Sequence, residues 1–303
     1  MADMRLSPTV GAGPPSGDAL YFWKQLSPST PHRLSAGTAF GMTDTGTVRP
    51  SNEDNFLIEA DLGLVAVADG MGGHDSGEVA SAEALSSLAR FLRASADPDS
   101  GVAPPDFRAS PFDPEATDPH AHWSEATLAS MVTLHDAVEF TNQRMYQTNL
   151  ANRRGDGGGM GTTLTGVWQP EPGAPLLVFH VGDSRLYRYR AGQLTQLTRD
   201  QTMYQEAVEA GATENLPPRN LLLQAIGPSG DVRPELHIQA AQPGDLYLLC
   251  SDGMYGATSD ERIAALLADV LPAQLGDCCK ELIATALRDG SRDNVTVVLF
   301  HCD

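Results

Sequence analysis

Basic residues are scarce in this chain: 20 Lys and Arg stand against 39 Asp and Glu, a formal net charge of -19. A phosphate backbone needs a cationic face, so this balance excludes nucleic acid as a partner and a polybasic membrane anchor with it. Cysteine is also scarce. The four residues Cys250, Cys278, Cys279 and Cys302 show no CxxC spacing, and they read as small apolar core residues before ligands or a disulfide. No apolar run is long enough to span a bilayer, and the amino terminus lacks a basic region followed by an apolar signal core, so a cytoplasmic protein with no membrane partner is expected. The glycine-rich stretch Arg153 to Gly161 contains neither GxGxxG nor a GKS or GKT ending, which removes the usual nucleotide loops.

What is present is a core-forming chain, with 41% apolar residues in 303, enough for one large domain or two small ones. It is organised around Val65-Ala66-Val67-Ala68-Asp69-Gly70-Met71-Gly72-Gly73-His74-Asp75. A short apolar run reads as a buried strand ending in a carboxylate and glycines. The strand fixes Asp69, and Gly70 lets a backbone carbonyl approach the same cation with no Cβ in the way. Leu246 to Cys250 followed by Ser251-Asp252-Gly253 repeats the arrangement, Asp183 ends Val178 to Gly182, and Asp293 precedes the strand Val295 to Val298. Each alone is an ordinary turn, because Asp and Gly serve turn chemistry. Four beside apolar strands favour a carboxylate cluster for hard cations.

Along the chain, residues 1–35 show no sustained period and read as a flexible N-terminal extension, with the domain over 36–303. Strands are predicted at Phe56–Glu59, Gly63–Ala68, Thr162–Trp168, Pro175–Val181, Leu186–Arg190, Leu194–Leu197, Leu236–Ala241, Asp245–Cys250 and Val295–His301. Helices are predicted at Glu78–Arg93, from Trp123 towards Leu150, at Gln201–Ala210, and over about 260–271 and 275–289. Residues 94–122 are proline-rich and read as an excursion outside the core, and His135 sits at core spacing. Successive strands joined by turns too short for crossovers favour antiparallel sheets covered by helices.

Upstream lies Arg49-Pro50-Ser51-Asn52-Glu53-Asp54. Such a string is commonly a surface salt-bridge turn. Beside a multi-carboxylate site, Arg49 suits two phosphate oxygens, and Glu53 and Asp54 suit waters around the cations. A phosphate, an arginine and two hard cations describe hydrolytic phosphoryl transfer.

The ordered set Arg49-x-x-Asn52-Glu53-Asp54, Asp69-Gly70-Met71-Gly72-Gly73, Gly161-Thr162-Thr163, Gly182-Asp183-Ser184-Arg185, Ser251-Asp252-Gly253 and Asp293-Asn294-x-Thr296 resembles the metal-dependent protein phosphatases (PPM, or type 2C), in their bacterial branch. The resemblance covers about residues 36–303. It implies an α+β fold, a four-layer α/β/β/α sandwich of two antiparallel sheets flanked by helices. It implies two Mg²⁺ or Mn²⁺ ions, with a third in some bacterial relatives. By motif, Asp69 would bridge the two main ions, Gly70 would offer its carbonyl, Asp252 and Asp293 would complete the pair, and Asp183 would hold the third ion. Arg49 would bind the substrate phosphate, with Glu53, Asp54 and Asn294 around the ligands. The water between the ions would attack phosphoserine or phosphothreonine in proteins, opposing a Ser/Thr kinase, and a monomer is expected.

There are departures. Eukaryotic members carry a histidine, suggested as general acid, two positions after the bridging Asp; here that residue is Met71, and His74 is the nearby substitute, its plainer reading being a turn residue. The segment of about 199–231 corresponds to the family's variable flap, and the position after Asp200, often His, is Gln201. Two other functions use the same residues: a pseudophosphatase scaffold, which the presence of Asp69, Asp252 and Asp293 disfavours, and a hydrolase of small phosphate esters.

Overall fold

A side-chain period of two, with both faces apolar, builds the centre of the molecule. In strand β4 (Leu64–Met71) Val65 and Val67 face one apolar cluster while Leu64, Ala66 and Ala68 face another. Strand β12 (Val295–Cys302) does the same, with Val295, Val297 and Leu299 on one side and Val298, Phe300 and Cys302 on the other. Near-continuous apolar runs are what strands buried on both faces require.

The computed structural model describes residues 24–72, 76–96, 109–114, 123–152 and 159–303. Before β4 come β1 (His32–Leu34), β2 (Gly37–Asp44) and β3 (Asp54–Glu59). After it come helices α1 (Gly77–Ala96) and α2 (Glu125–Ala151), then β5 (Gly161–Thr162), β6 (Leu164–Trp168), β7 (Leu176–Val181), β8 (Arg185–Arg190) and β9 (Gln193–Gln196). Helix α3 (Met203–Glu209), β10 (Glu235–Gln239), β11 (Leu246–Cys250), α4 (Asp252–Tyr255), α5 (Asp260–Leu267) and α6 (Leu275–Arg288) lead to β12.

One sheet runs in the order β1-β2-β12-β11-β8-β9, the other β10-β7-β6-β4-β3 with β5 added on β4. Every ladder between named strands is antiparallel. The sheets face each other across Phe56, Val67, Val178, Tyr247, Val298 and Phe300, with the rings of Tyr247 and Phe300 at 6.2 Å. Helices α1 and α2 cover one outer face through Leu85, Leu88, Leu92, Met131 and Leu134. Helices α5 and α6 cover the other through Ile263, Leu267, Leu275, Cys279, Leu282 and Ile283. The architecture is therefore the expected α/β/β/α sandwich. Ser124 starts α2 by accepting the Thr127 N–H at 3.1 Å, which satisfies one of the orphan donors of a helix end. All four cysteines are buried and free.

Strand β2 is hard to read in advance because glycine weakens strand propensity. Its Gly41 has a packing reason: a Cβ there would lie 2.3 Å from the Phe56 ring of the opposite sheet. Part of the stretch expected as a flexible extension is built into the fold. The Leu26 N–H donates to Asn55 Oδ1 at 3.0 Å, Ser27 Oγ accepts from the Ile58 N–H at 2.9 Å, and β1 pairs with β2. Within the proline-rich excursion, α1 continues to Ala96 and residues 109–114 lie on α2. Phe112 stacks on the buried ring of His135 at 4.5 Å, and the Ser110 N–H donates to Glu139 at 2.6 Å. A single well-placed aromatic ring docks a segment that composition alone assigns to solvent. No described helix is long and apolar enough to cross a membrane.

Gly41→Val should push the Phe56 ring out of its place and lower stability by about 1–3 kcal/mol, the usual range for overpacking. Urea midpoints check this, and Gly41→Val with Phe56→Leu should recover part of the loss. A double variant no more stable than Gly41→Val would place the conflict elsewhere.

Candidate active site

The strand ends that carry acids meet at one pole of the sandwich. A cleft of about 250 Å³ is lined by Glu53, Asp69, Asp183, Asp252 and Asp293, with Arg49 among them. Gly70, Met71, Gly72, Thr163, Asn220 and Leu222 complete the lining. Both sheets contribute. Asp69 lies in β4 of one sheet, Asp252 follows β11 and Asp293 precedes β12 of the other, and Asp183 sits where the chain passes from β7 to β8 between the sheets.

Hydroxyl groups hold these acids from behind. Thr163 Oγ1 accepts the Asp69 N–H at 2.9 Å, Thr162 Oγ1 donates to the Asp69 carbonyl at 2.9 Å, and the Thr163 and Ser184 hydroxyls meet at 2.7 Å. Asp54 lies buried beneath the cleft, and its Oδ2 accepts from Ser251 and Thr296, each at 2.7 Å. An acid from one sheet is thereby tied to hydroxyls of the other. Asn294 has a different geometry from a group facing a ligand. It accepts the Glu53 N–H at 2.8 Å and donates to the carbonyls of Thr45 and Ser51, each at 2.9 Å, so it pins the Arg49–Glu53 loop to the head of β12. At Gly70 the backbone is crowded: an added Cβ would lie 2.0 Å from the Gly77 carbonyl oxygen and 2.6 Å from that of Glu53.

Burial and mutual repulsion push these carboxyls up. Burial raises Asp54 to about 7, with Asp252 and Asp293 adding to it, against the lowering hydrogen bonds from Ser251 and Thr296. Burial, then Asp252, raises Asp183 to about 7. Asp252 rises to about 6 from burial and the Asp293 charge, while Arg49 and a hydrogen bond with Asp69 oppose the rise. Asp69 is held well above the carboxylate range by burial and by Asp54, Asp252, Asp183 and Asp293 together. Arg49, exposed at the mouth, donates from Nη2 to Asp293 Oδ2 at 2.6 Å.

A donor set made of carboxylates and backbone oxygen suits hard cations such as Mg²⁺ or Mn²⁺, and positive charge is what a repelling cluster of buried acids calls for. The residues present fit such ions by chemistry. Among the described residues no group of three or more His, Cys, Asp or Glu side chains stands placed to hold an ion; Arg49 bonds Asp293, and Asp252 bonds Asp69. The structure thus brings Arg49, Glu53, Asp69, Gly70, Asp183, Asp252 and Asp293 together, with Asp54 and Asn294 behind them. His74 lies outside the described residues; Met71 lines the cleft and has no proton to give. Thr163, Ser184 and Ser251 act as positioning groups that the motif reading does not assign, although each lies inside one of its strings, Ser184 and Ser251 directly beside an acid.

The chain is similar in sequence and fold to known proteins. The family described as Protein phosphatase 2C matches residues 49–288. The serine/threonine protein phosphatase PstP of Mycobacterium tuberculosis is 35% identical over 262 residues, covering 85% of this chain and 43% of PstP. The chain therefore spans less than half the length of that relative. The serine/threonine phosphatase stp of Listeria monocytogenes is 29% identical over 274 residues, covering 86% of this chain and 94% of stp. Among solved structures, the catalytic domain of PstP in complex with two manganese ions superposes with a TM-score of 0.65 at 34% identity, over 87% of this chain and 96% of that one.

In the metal-free protein, a carboxyl whose pKa is raised by folding binds its proton more tightly in the native state than in the unfolded chain. Stability is then greatest below about pH 4 for these groups and falls as pH rises through 6 to 7. Urea midpoints in chelator should drop between pH 5 and pH 8, and Mn²⁺ should restore the loss at pH 8. A midpoint that rises with pH in chelator, or that ignores Mn²⁺, would contradict the repulsion described.

Proposed function

The chain belongs to the protein phosphatase 2C family, and on that premise we propose that it hydrolyses phosphoserine and phosphothreonine monoesters in proteins with the help of bound Mg²⁺ or Mn²⁺. The observation that carries the reading is the meeting of five cleft carboxylates, drawn from both sheets, with one arginine. The manganese-bound PstP domain supports two ions as the working complement.

In this reading Asp69, the Gly70 carbonyl, Asp252 and Asp293 would hold the two main ions, with Asp69 shared between them, and Asp183 with Asp252 would hold a third, weaker ion. When bound, the cations neutralise phosphate charge and activate a water as nucleophile. The chain's own groups do the rest. Arg49 keeps one N–H on Asp293 and presents its remaining donors to phosphate oxygens. Asp54 and Asn294 hold the acids of the two sheets in register, so that the reacting groups meet without reorganisation. Glu53 stands in the cleft wall where it can accept from water. The substrates are phosphoproteins, and we assign the opposing activity to a Ser/Thr kinase, the setting to the cytoplasm and the active species to a monomer, with the phosphatase unit widened from 36–303 to take in β1 and the segment from Leu26 that bonds to β3.

Activity on a phosphothreonine peptide should vanish in chelator and return with Mn²⁺ or Mg²⁺. Asp69→Asn should lower turnover far more than Asp183→Asn, since it weakens both main ion positions; near-normal turnover by Asp69→Asn would reject the two-ion reading. A better kcat/KM on a sugar phosphate than on the peptide would move the function to small esters.

Arg49→Ala should act mainly by raising KM, because a phosphate clamp holds ground and transition states alike. Steady-state kinetics on the peptide decide the point. An effect confined to kcat would make Arg49 a group that acts only in the transition state.

A further inference from the structure

Asp183 and Asp252 line the same cleft and carry the same charge, yet they come from different parts of the fold. Asp252 opens the four-residue helix α4, and Tyr255 closes it. The Tyr255 hydroxyl donates to the main-chain carbonyl of Asp183 at 2.9 Å. One short helix therefore carries one acid at its first residue and grips the other acid's backbone from its last.

The tyrosine is itself fixed. The Arg185 guanidinium lies over its ring at 3.7 Å. Asp200 grips Arg185 through two bonds, Nε to Oδ1 at 2.8 Å and Nη2 to Oδ2 at 2.6 Å, and Tyr187 accepts from Nη1 at 2.8 Å. On the other side of Asp183, Gly182 adopts φ +104°, and its N–H donates to Gln201 Oε1 at 2.8 Å while its carbonyl accepts the Gln201 N–H at 2.8 Å. The Asp183 peptide is thus clamped from both ends.

From this geometry we infer that Tyr255 is a positioning residue that braces Asp183 against Asp252, fixing the distance between the two carboxylates at which a single hard cation is held. Two like charges relax apart unless the backbone prevents it, and preorganised ligands bind an ion more tightly than ligands that must be gathered. The brace rests on the reading of Asp183 and Asp252 as ligands of the third, weakest ion. Tyr255 does not touch the ion; it acts through the Asp183 main chain.

The test is Mn²⁺ titration of the chelator-stripped full chain, with free Mn²⁺ followed by its electron paramagnetic resonance signal, for the unaltered protein, Tyr255→Phe and Asp183→Asn. Tyr255→Phe keeps the ring beneath Arg185 and removes only the hydroxyl. It should leave the tighter binding classes in place and weaken the weakest class roughly three- to tenfold, the loss of one hydrogen bond. Asp183→Asn should abolish that class. If Asp183→Asn loses the weak class while the Tyr255→Phe isotherm superposes on that of the unaltered protein, the brace is overturned and the ligand reading stands. If Asp183→Asn changes nothing, the ligand reading falls and the brace with it. A uniform weakening of every class by Tyr255→Phe, together with a lower thermal midpoint in chelator, would make the tyrosine a general stabiliser and also overturn the inference.

Discussion

Like charges held close together and away from water are the constraint on which this structure turns. Asp54, Asp69, Asp183 and Asp252 each feel burial first, with neighbouring acids of the cluster, Asp293 among them, adding to it, and all four are pushed up from the ordinary carboxylate range. A chain left to itself disperses such groups. Here they stay because each is the end of a strand or the start of a short element whose other residues are locked in an apolar core. Protons, an arginine or divalent cations are the three ways to compensate the charge, and the geometry provides for each: a shared hydrogen bond at Asp69 and Asp252, Arg49 on Asp293, and an oxygen-rich cleft.

The hydroxyl groups around the cleft are the mechanical complement of that electrostatics. Thr162 and Thr163 fix the Asp69 backbone, Ser251 and Thr296 hold Asp54, and the amide of Asn294 joins the Arg49 loop to β12. Hydroxyls and amides orient an acid without adding net charge, so they position the cluster while leaving its field for the ligand. This explains why small polar residues sit so close to the acids in the strings that mark the site.

Much of this was legible in advance, and the reasons differ by residue. Asp69, Asp183, Asp252 and Asp293 were visible because each follows or precedes an apolar run, a local pattern that needs no knowledge of the partner strand. The face Leu275, Cys278, Cys279, Leu282 and Ile283 of α6 was visible for the same reason, being periodic within one element. Strand β2 was not, since its Gly41 owes its place to Phe56 on the other sheet. Nor was the docking of Phe112 on His135, or the part that Tyr255 plays, because one aromatic ring has no period. Contacts between distant segments leave little trace in the local pattern, and the positioning groups are mostly of that kind.

The acids that line the cleft come from two separate sheets and the link between them, and the layer containing Phe56, Val178, Tyr247, Val298 and Phe300 helps set how far apart those sheets lie. The gap between opposing carboxylates is therefore the thickness of a hydrocarbon layer, measured at its end. The cluster is in effect a caliper whose jaws are closed by core side chains that never see solvent or substrate. A methylene gained or lost deep between the sheets would retune ion affinity without altering any group in the cleft, so evolutionary adjustment of this chemistry has a route through the interior of the protein.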